Sequence, residues 1–386
     1  MKPIYLDNNA TTRVADEVVE AMMPFFTEQY GNPSSMYALG GEAGHATRHA
    51  REQVAALLNC SPDEILFTSC GTESDNTSIH GVLEVAPAKR HLITSRVEHP
   101  AVRTTCRYFR EQHGYALTEL PVDAKGNLSL SELESSLRDD TALVSIMHAN
   151  NETGVIFPLE EIAQIVKSHG VILHTDAVQT AGKLSLDMQK LPVDLLAISG
   201  HKLHAPKGIG ALYVRRGTKL PPYLKGGHQE SGKRAGTENV PYIVGFGKAC
   251  ELAMQNMEKE NTSVKALRDK LQAGLLTGCQ NAYVNGDETH RLPNTANISF
   301  EFIEGESILL LLDTLGVCAS SGSACTSGSL EPSHVLRAMG VPFTRAHGSI
   351  RFSLSRYTTE DEVNVVIEKL PAIIERLRSM SPFGRK

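Results

Sequence analysis

The sequence predicts an α/β protein: a large, mostly parallel sheet with helices on both faces, joined to a smaller α+β unit. Three observations carry this expectation. Short apolar runs alternate with longer helical patterns through the middle of the chain, which is the rhythm of βαβ units. The pattern changes after a long helical stretch at 241–276. The chain has 386 residues and 41% hydrophobic content, ample for one large core with a smaller partner. The expected division is a large unit at 15–255 and a small one formed by 1–14 and 256–386.

Taken in order, the runs at 64–68, 91–94, 142–147, 171–174, 194–199 and 210–214 read as strands. Helical patterns follow several of them, at 72–83, 100–112 and 159–168. The small unit reads as strand 296–300, helix 305–312, strand 317–320, helix 332–339, strand 349–354 and helix 359–378. In open α/β sheets the reactive groups gather beyond the C-terminal ends of strands. The polar motifs fall there: Thr72, His99, Asn150-Asn151, Asp176 and Lys202.

Composition excludes several classes of function. A net charge of −6 leaves no electrostatic footprint for nucleic acid and no basic face for anionic lipid. Trp is absent and aromatics are 5%, too few for base-stacking platforms. No apolar run is long enough to span a bilayer. The start, Met1-Lys2-Pro3-Ile4, lacks the apolar core of a signal peptide, and a cytoplasmic location is expected. Seven cysteines at 60, 70, 106, 250, 279, 318 and 325 are dispersed, without the spacing of a disulfide framework or structural zinc site.

Lys202 and Asp176 point to one coenzyme. Lys202 lies in Ser199-Gly200-His201-Lys202 at the end of an apolar strand, where desolvation makes an amine a Schiff-base nucleophile. Asp176, also at a strand end, can pair with a pyridinium nitrogen. Pyridoxal phosphate needs both. The plain alternatives are a surface lysine at a strand exit and an Asp that caps the next turn. Gln179 could donate to the ring's phenolic oxygen. Gly71 and Thr72, after a strand and opening a helix, suit an anion; Ser199 and His201 can reach the same phosphate. His99 could stack on a flat ring and move protons, or be an ordinary packed histidine. Asn151 could contact the coenzyme or substrate, although Asn150-Asn151 is also good turn chemistry. Arg351, alone on a half-buried strand, could clamp a carboxylate. Thr237, in the Gly-rich stretch 226–239, could face a phosphate across a dimer interface, or sit in a solvated loop. Cys325 lies among small polar residues, Ser320-Ser321-Gly322-Ser323-Ala324-Cys325-Thr326-Ser327, where an exposed thiol can act as a nucleophile. The other cysteines read as structural.

Together these residues resemble the cysteine desulfurases, fold-type I pyridoxal-phosphate enzymes of the class V aminotransferase group. The resemblance includes Tyr5-Leu6-Asp7-Asn8-Asn9-Ala10-Thr11-Thr12, Gly31-Asn32-Pro33-Ser34-Ser35, Phe67-Thr68-Ser69-Cys70-Gly71-Thr72-Glu73-Ser74, the Lys202 run and the Cys325 loop. The loop resembles the group I type. The Asp7-to-Thr12 run and Gly226-Gly227-His228-Gln229-Glu230 look more like the nitrogen-fixation branch than the housekeeping one.

The resemblance implies a seven-stranded type of sheet and a homodimer. It implies that Lys202 carries the coenzyme, Asp176 and Gln179 hold its ring, and His99 stacks on it. Gly71, Thr72, Ser199, His201 and a neighbouring subunit's Thr237 would bind its phosphate, with Asn151 as a further contact. Arg351 and Asn9 would hold L-cysteine. Cys325 would take the sulfur as a persulfide, releasing L-alanine, and pass it to an iron–sulfur scaffold protein. A persulfide on Cys325 could also ligate an iron–sulfur cluster transiently. A selenocysteine lyase, a class V aminotransferase and a catalytically silent assembly subunit are the competing readings.

Overall fold

The computed structural model describes residues 3–321 and 332–382; Cys325 lies outside them. The chain opens with a short strand, β1 (Ile4–Tyr5), and the helices Asp16–Met22 and Ala38–Leu58. The main sheet is then laid down by β2 (Ile65–Thr68), β3 (His91–Ser95), β4 (Ala116–Leu120), β5 (Thr141–Ser145), β6 (Ile172–Asp176), β7 (Leu195–Ser199) and β8 (Gly210–Val214). Its seven strands run in the order β2-β8-β7-β6-β5-β3-β4. The pairs from β4 through β7 are parallel, and β8 runs antiparallel to both neighbours.

Period-two alternation explains why both faces are covered. Ile65, Phe67, Ile93, Val144, Leu196, Ala211 and Tyr213 enter one apolar cluster. Their neighbours Leu66, Leu92, Leu143, Leu195 and Leu212 enter a second cluster on the opposite face. Helix Gly71–Val85 and helix Pro100–His113 pack on the second face through Ile79, Val82, Val102 and Phe109. Helix Ala38–Leu58 lies against helix Val240–Lys259 on the first. That contact is close: a Cβ on Gly247 would stand 2.7 Å from the Ala50 Cα.

A five-residue π turn, Glu260–Val264, leads from helix Val240–Lys259 into helix Lys265–Gly278. A three-stranded antiparallel sheet follows, from β9 (Ala282–Val284), β10 (Thr295–Phe300) and β12 (Ser349–Ser353), ordered β12-β10-β9. Between them β11 (Val317–Cys318) pairs in parallel with β1. Helices Gly305–Asp313 and Glu360–Met380 close a third apolar cluster, which includes Leu6, Ile298, Ile350, Phe352 and Leu370. Val335, Leu336, Met339 and Ala346, later in the chain, pack instead on the first-face cluster of the large sheet.

The structure adds elements that the sequence reading did not contain. Strand β4 is an edge strand with four of its five residues half-buried, so its alternation is faint. Helix Ala38–Leu58 buries Gly40, Ala43, Gly44, Thr47 and Ala50, small residues that carry little apolar contrast. The expected strand 317–320 is shorter, ending at Cys318.

Candidate active site

Strands β2, β3, β5, β6 and β7 all end on one edge of the sheet, and the loops beyond them enclose a cavity of about 600 Å³. Asn9, Gly71, Thr72, His99, Asn151, Asp176, Gln179, Ser199, His201, Lys202 and Arg351 all line it. Residues scattered over most of the chain thus line one cavity. Thr237 does not join them within one chain. It lines a separate hollow with Phe67, Ser69, Glu230 and Arg234.

Lys202 follows β7 by one turn of 3₁₀ helix, Gly200–Lys202. Its ammonium donates to the carbonyls of Asn9 and Ala10, the latter at 2.8 Å. The N-terminal segment therefore holds the lysine's head. Gln179 is held the same way: its Nε2 donates to the Asn9 carbonyl at 3.1 Å, which aims Oε1 inward, buried and without a partner. Ser199 Oγ is also buried without a partner. Such orphaned polar atoms are costly unless something meets them.

Asp176 ends β6, and its Oδ1 accepts from the Val178 amide at 2.9 Å. Burial pushes its carboxyl up, while His99, the Val178 amide and Lys202 pull it down. His99 is the N-cap of helix Pro100–His113, its Nδ1 accepting from the Ala101 amide at 3.2 Å. Burial lowers its pKa and outweighs the opposing pull of Asp176. His201 is pushed down to about 4, chiefly by burial and then by Lys202. Both rings are therefore neutral near pH 7 and able to approach an anion or a flat ring without charge.

Gly71 is the first residue of its helix, and a Cβ there would come within 2.8 Å of Val178 Cγ2. A side chain there would force Gly71 or Val178 to move, and both line the cavity. Asn150 is not the pocket residue of its pair. Its side chain is spent on the turn, accepting from the amides of Glu152 and Thr153 and donating to the Val97 carbonyl, so Asn151 faces the cavity.

The structure adds residues that the sequence reading missed. Cys70, read as structural, is the N-cap of helix Gly71–Val85 and lines the cavity. Asp75 is fully buried in that helix's first turns, 3.4 Å from His174 Nε2, and burial followed by Asp176 raises its pKa well above normal. Glu98, beside His99, accepts from Ser95 Oγ at 2.6 Å and from the Met147 amide, and burial still lifts it to about 8. Glu152 accepts from Ser333 Oγ and is raised to about 7 by burial, against the pull of Ser333 and Arg351. Ordinary charged residues carry no mark of burial in sequence, so only the Glu98-His99 adjacency could have drawn notice.

Among the described residues, Asp75, His99 and Asp176 bring ligating atoms within 4.8 Å of one another. A metal there would leave Lys202 and the orphaned oxygens of Gln179 and Ser199 unexplained. A pyridoxal phosphate coenzyme accounts for the lysine, the aspartate and the hydroxyl: an amine for its aldehyde, a carboxylate for its ring nitrogen and a donor for its phosphate, while Gln179 Oε1, an acceptor, is not matched by the ring's phenolic oxygen.

The class-V aminotransferase family model matches residues 4–366. The chain belongs to the class-V aminotransferase family. It is 61% identical to a cysteine desulfurase of Trichormus azollae, over 99% of this chain and 96% of that protein. It is 58% identical to the cysteine desulfurase NifS of Azotobacter vinelandii, covering 99% and 95% of the two chains. Among solved structures, a NifS-like protein superimposes with a TM-score of 0.92 at 42% identity, over 97% of this chain and 100% of that one. SspA in complex with cysteine does so at 0.81 and 36% identity, over 92% and 99%. The seven-stranded sheet is thus that of the NifS-like structures. No described helix is long and apolar enough to cross a membrane.

Proposed function

We infer that this class-V family member is a cysteine desulfurase that removes sulfur from L-cysteine, releases L-alanine and supplies iron–sulfur cluster assembly. The carrying observation is that Lys202, Asp176 and Arg351 line one and the same cavity. The curated relatives, matched over 95–96% of their length, bear the same activity in their names.

Pyridoxal phosphate, when bound, supplies an aldehyde for amines and a ring that withdraws electrons from the substrate's Cα. The chain does the rest. Lys202 anchors the coenzyme between turnovers and is the amine beside the substrate's α-proton. Asp176 keeps a proton on the ring nitrogen. Gln179 would meet the phenolic oxygen through Nε2, which in this structure donates to the Asn9 carbonyl, and Asn151 would add a contact. Neutral His99 would pack against the ring. Gly71, Thr72, Ser199 and His201 take the phosphate, with Thr237 supplied by the other subunit of a homodimer. Arg351 and Asn9 orient the amino acid by its carboxylate. The Cys325 thiolate attacks the substrate sulfur: an S–S bond forms, the C–S bond breaks, and its electron pair stays with the carbon skeleton that leaves as alanine. The resulting persulfide passes its outer sulfur to a scaffold protein in the cytoplasm.

Incubation of the coenzyme-loaded protein with L-cysteine tests this directly. Alanine should appear, and Cys325 should gain the mass of one sulfur atom. Alanine formation that survives Cys325→Ala would favour a class V aminotransferase or a lyase that needs no thiol, and activity confined to selenocysteine would favour the selenocysteine lyase. Failure to bind coenzyme would leave only an assembly subunit.

A further inference from the structure

Arg351 sits on β12, where Ile350 and Phe352 turn into the small apolar core and Arg351 turns the other way, into the cavity. Its guanidinium is already engaged. Nη2 donates to Asp7 Oδ1 at 2.8 Å and Nη1 to the Asn151 carbonyl at 3.1 Å, while Nε is buried without a partner. The Arg351 side chain is 4% exposed and that of Asp7 18%. Asp7 is absent from the cavity lining, so it grips the guanidinium from behind. Its place is over-determined by backbone. Leu6 donates to the Cys318 carbonyl, the Ser353 amide to the Leu6 carbonyl, and Asn8 to the Ser353 carbonyl. Asp7 itself bridges Ser353, two residues along the strand from Arg351.

We propose that Asp7 is a positioning residue for the amino-acid carboxylate: it aims Arg351 and offsets part of its charge, so that substrate and product are held alike but not too tightly. The proposal rests on Arg351 being the carboxylate clamp. The reason for such a device lies in the reaction. L-cysteine and L-alanine carry the same carboxylate, and grip that is equal for both does not speed the chemistry but slows release. A bare buried guanidinium would bind either anion strongly. A fixed carboxylate behind it keeps its geometry and lowers its pull.

The substitutions separate aim from charge. Asp7→Asn keeps an oxygen acceptor for Nη2 and removes the charge. In the coenzyme-loaded protein, L-alanine titrated against the visible band should bind about tenfold tighter to this variant, and the KM for cysteine should fall with kcat equal or lower. Asp7→Ala removes both functions and should bind alanine more weakly than Asp7→Asn. Asp7→Glu should return the affinity toward that of the parent. Ethylamine, which lacks the carboxylate, should bind parent and Asp7→Asn alike, a pattern that a general loosening of the fold would not produce. Alanine affinity unchanged or weakened in Asp7→Asn, with Arg351→Ala losing it, overturns the role of Asp7 alone. Alanine affinity unchanged in Arg351→Ala overturns the clamp itself. Should Asp7→Asn not fold, the comparison of Asp7→Glu and Asp7→Ala decides by the same alanine and ethylamine titrations.

Discussion

Asp176 is buried and Lys202 and His99 are half-buried at the cavity wall, and each is held by a backbone group. The lysine leans on the carbonyls of Asn9 and Ala10, the aspartate on the Val178 amide, the histidine on the Ala101 amide. Removing a member should be felt in binding and in chemistry together. Lys202→Ala should lose the coenzyme's visible band bound to protein and lower alanine formation by about 10²–10⁴-fold, read by absorption and by amino-acid analysis. Because burial lowers His99, its ring should titrate below an ordinary histidine. In nitrogen-15 spectra it should already be neutral at pH 7; a ring still protonated there would contradict the burial argument. At this scale the sequence is legible for residues whose type is unusual in its setting, such as a lysine ending an apolar strand. It is silent for Asp7, Asp75, Glu98 and Glu152, which look like surface acids until tertiary contacts bury or pair them.

Elements position these groups, and glycines decide how closely they meet. At Gly71 the helix start must stay open to an anion, with Val178 Cγ2 just beyond. Gly71→Ala should weaken coenzyme retention at least about tenfold by equilibrium dialysis and cost about 1–3 kcal/mol in denaturant unfolding, as the added Cβ presses on Val178. At Gly247 the reason is packing: the helices Ala38–Leu58 and Val240–Lys259 touch where a Cβ would meet Ala50. Gly247→Leu should cost about 1–3 kcal/mol in denaturant unfolding, or more if the helices separate. The strands at the centre of the sheet were readable because they are apolar on both faces. Their ends drifted by a residue or two, since 171–174 is in fact Ile172–Asp176 and 142–147 is Thr141–Ser145. Helix Ala38–Leu58 is faint in sequence because the first three turns of its buried face are Gly, Ala and Thr, with larger apolar residues only at Val54, Leu57 and Leu58.

The whole molecule has a pH optimum of stability written into its buried groups. His148 is lowered to about 4 by burial, and His174 and His204 to about 3. The unfolded chain takes up those protons below about pH 6.5 and the folded one does not, so stability falls as acid is added. Glu98 and Glu152 run the other way, raised to about 8 and about 7. Their contribution is full below the ordinary carboxyl range and is lost as pH climbs through the raised values. Thermal unfolding at fixed coenzyme saturation should therefore peak at about pH 6–7. Glu152→Gln should flatten the alkaline side; an unchanged slope there would show that Glu152 is ionised in the folded protein. Such balances belong to the assembled molecule, because no local stretch sets the burial of a histidine on β6 or a glutamate after β5.

The sequence by itself determined the fold class and most of the candidate site, because strand periodicity and loop placement are local properties. Parallel strands deliver their loops to one edge wherever the chain repeats βαβ, so Lys202, Asp176, His99, Thr72 and Asn151 converge without further instruction. Tertiary structure alone decided what restrains them. The carbonyls of Asn9 and Ala10 on Lys202 and the carboxylate of Asp7 on Arg351 act through distance and desolvation, and both depend on chain segments about two to three hundred residues apart coming together.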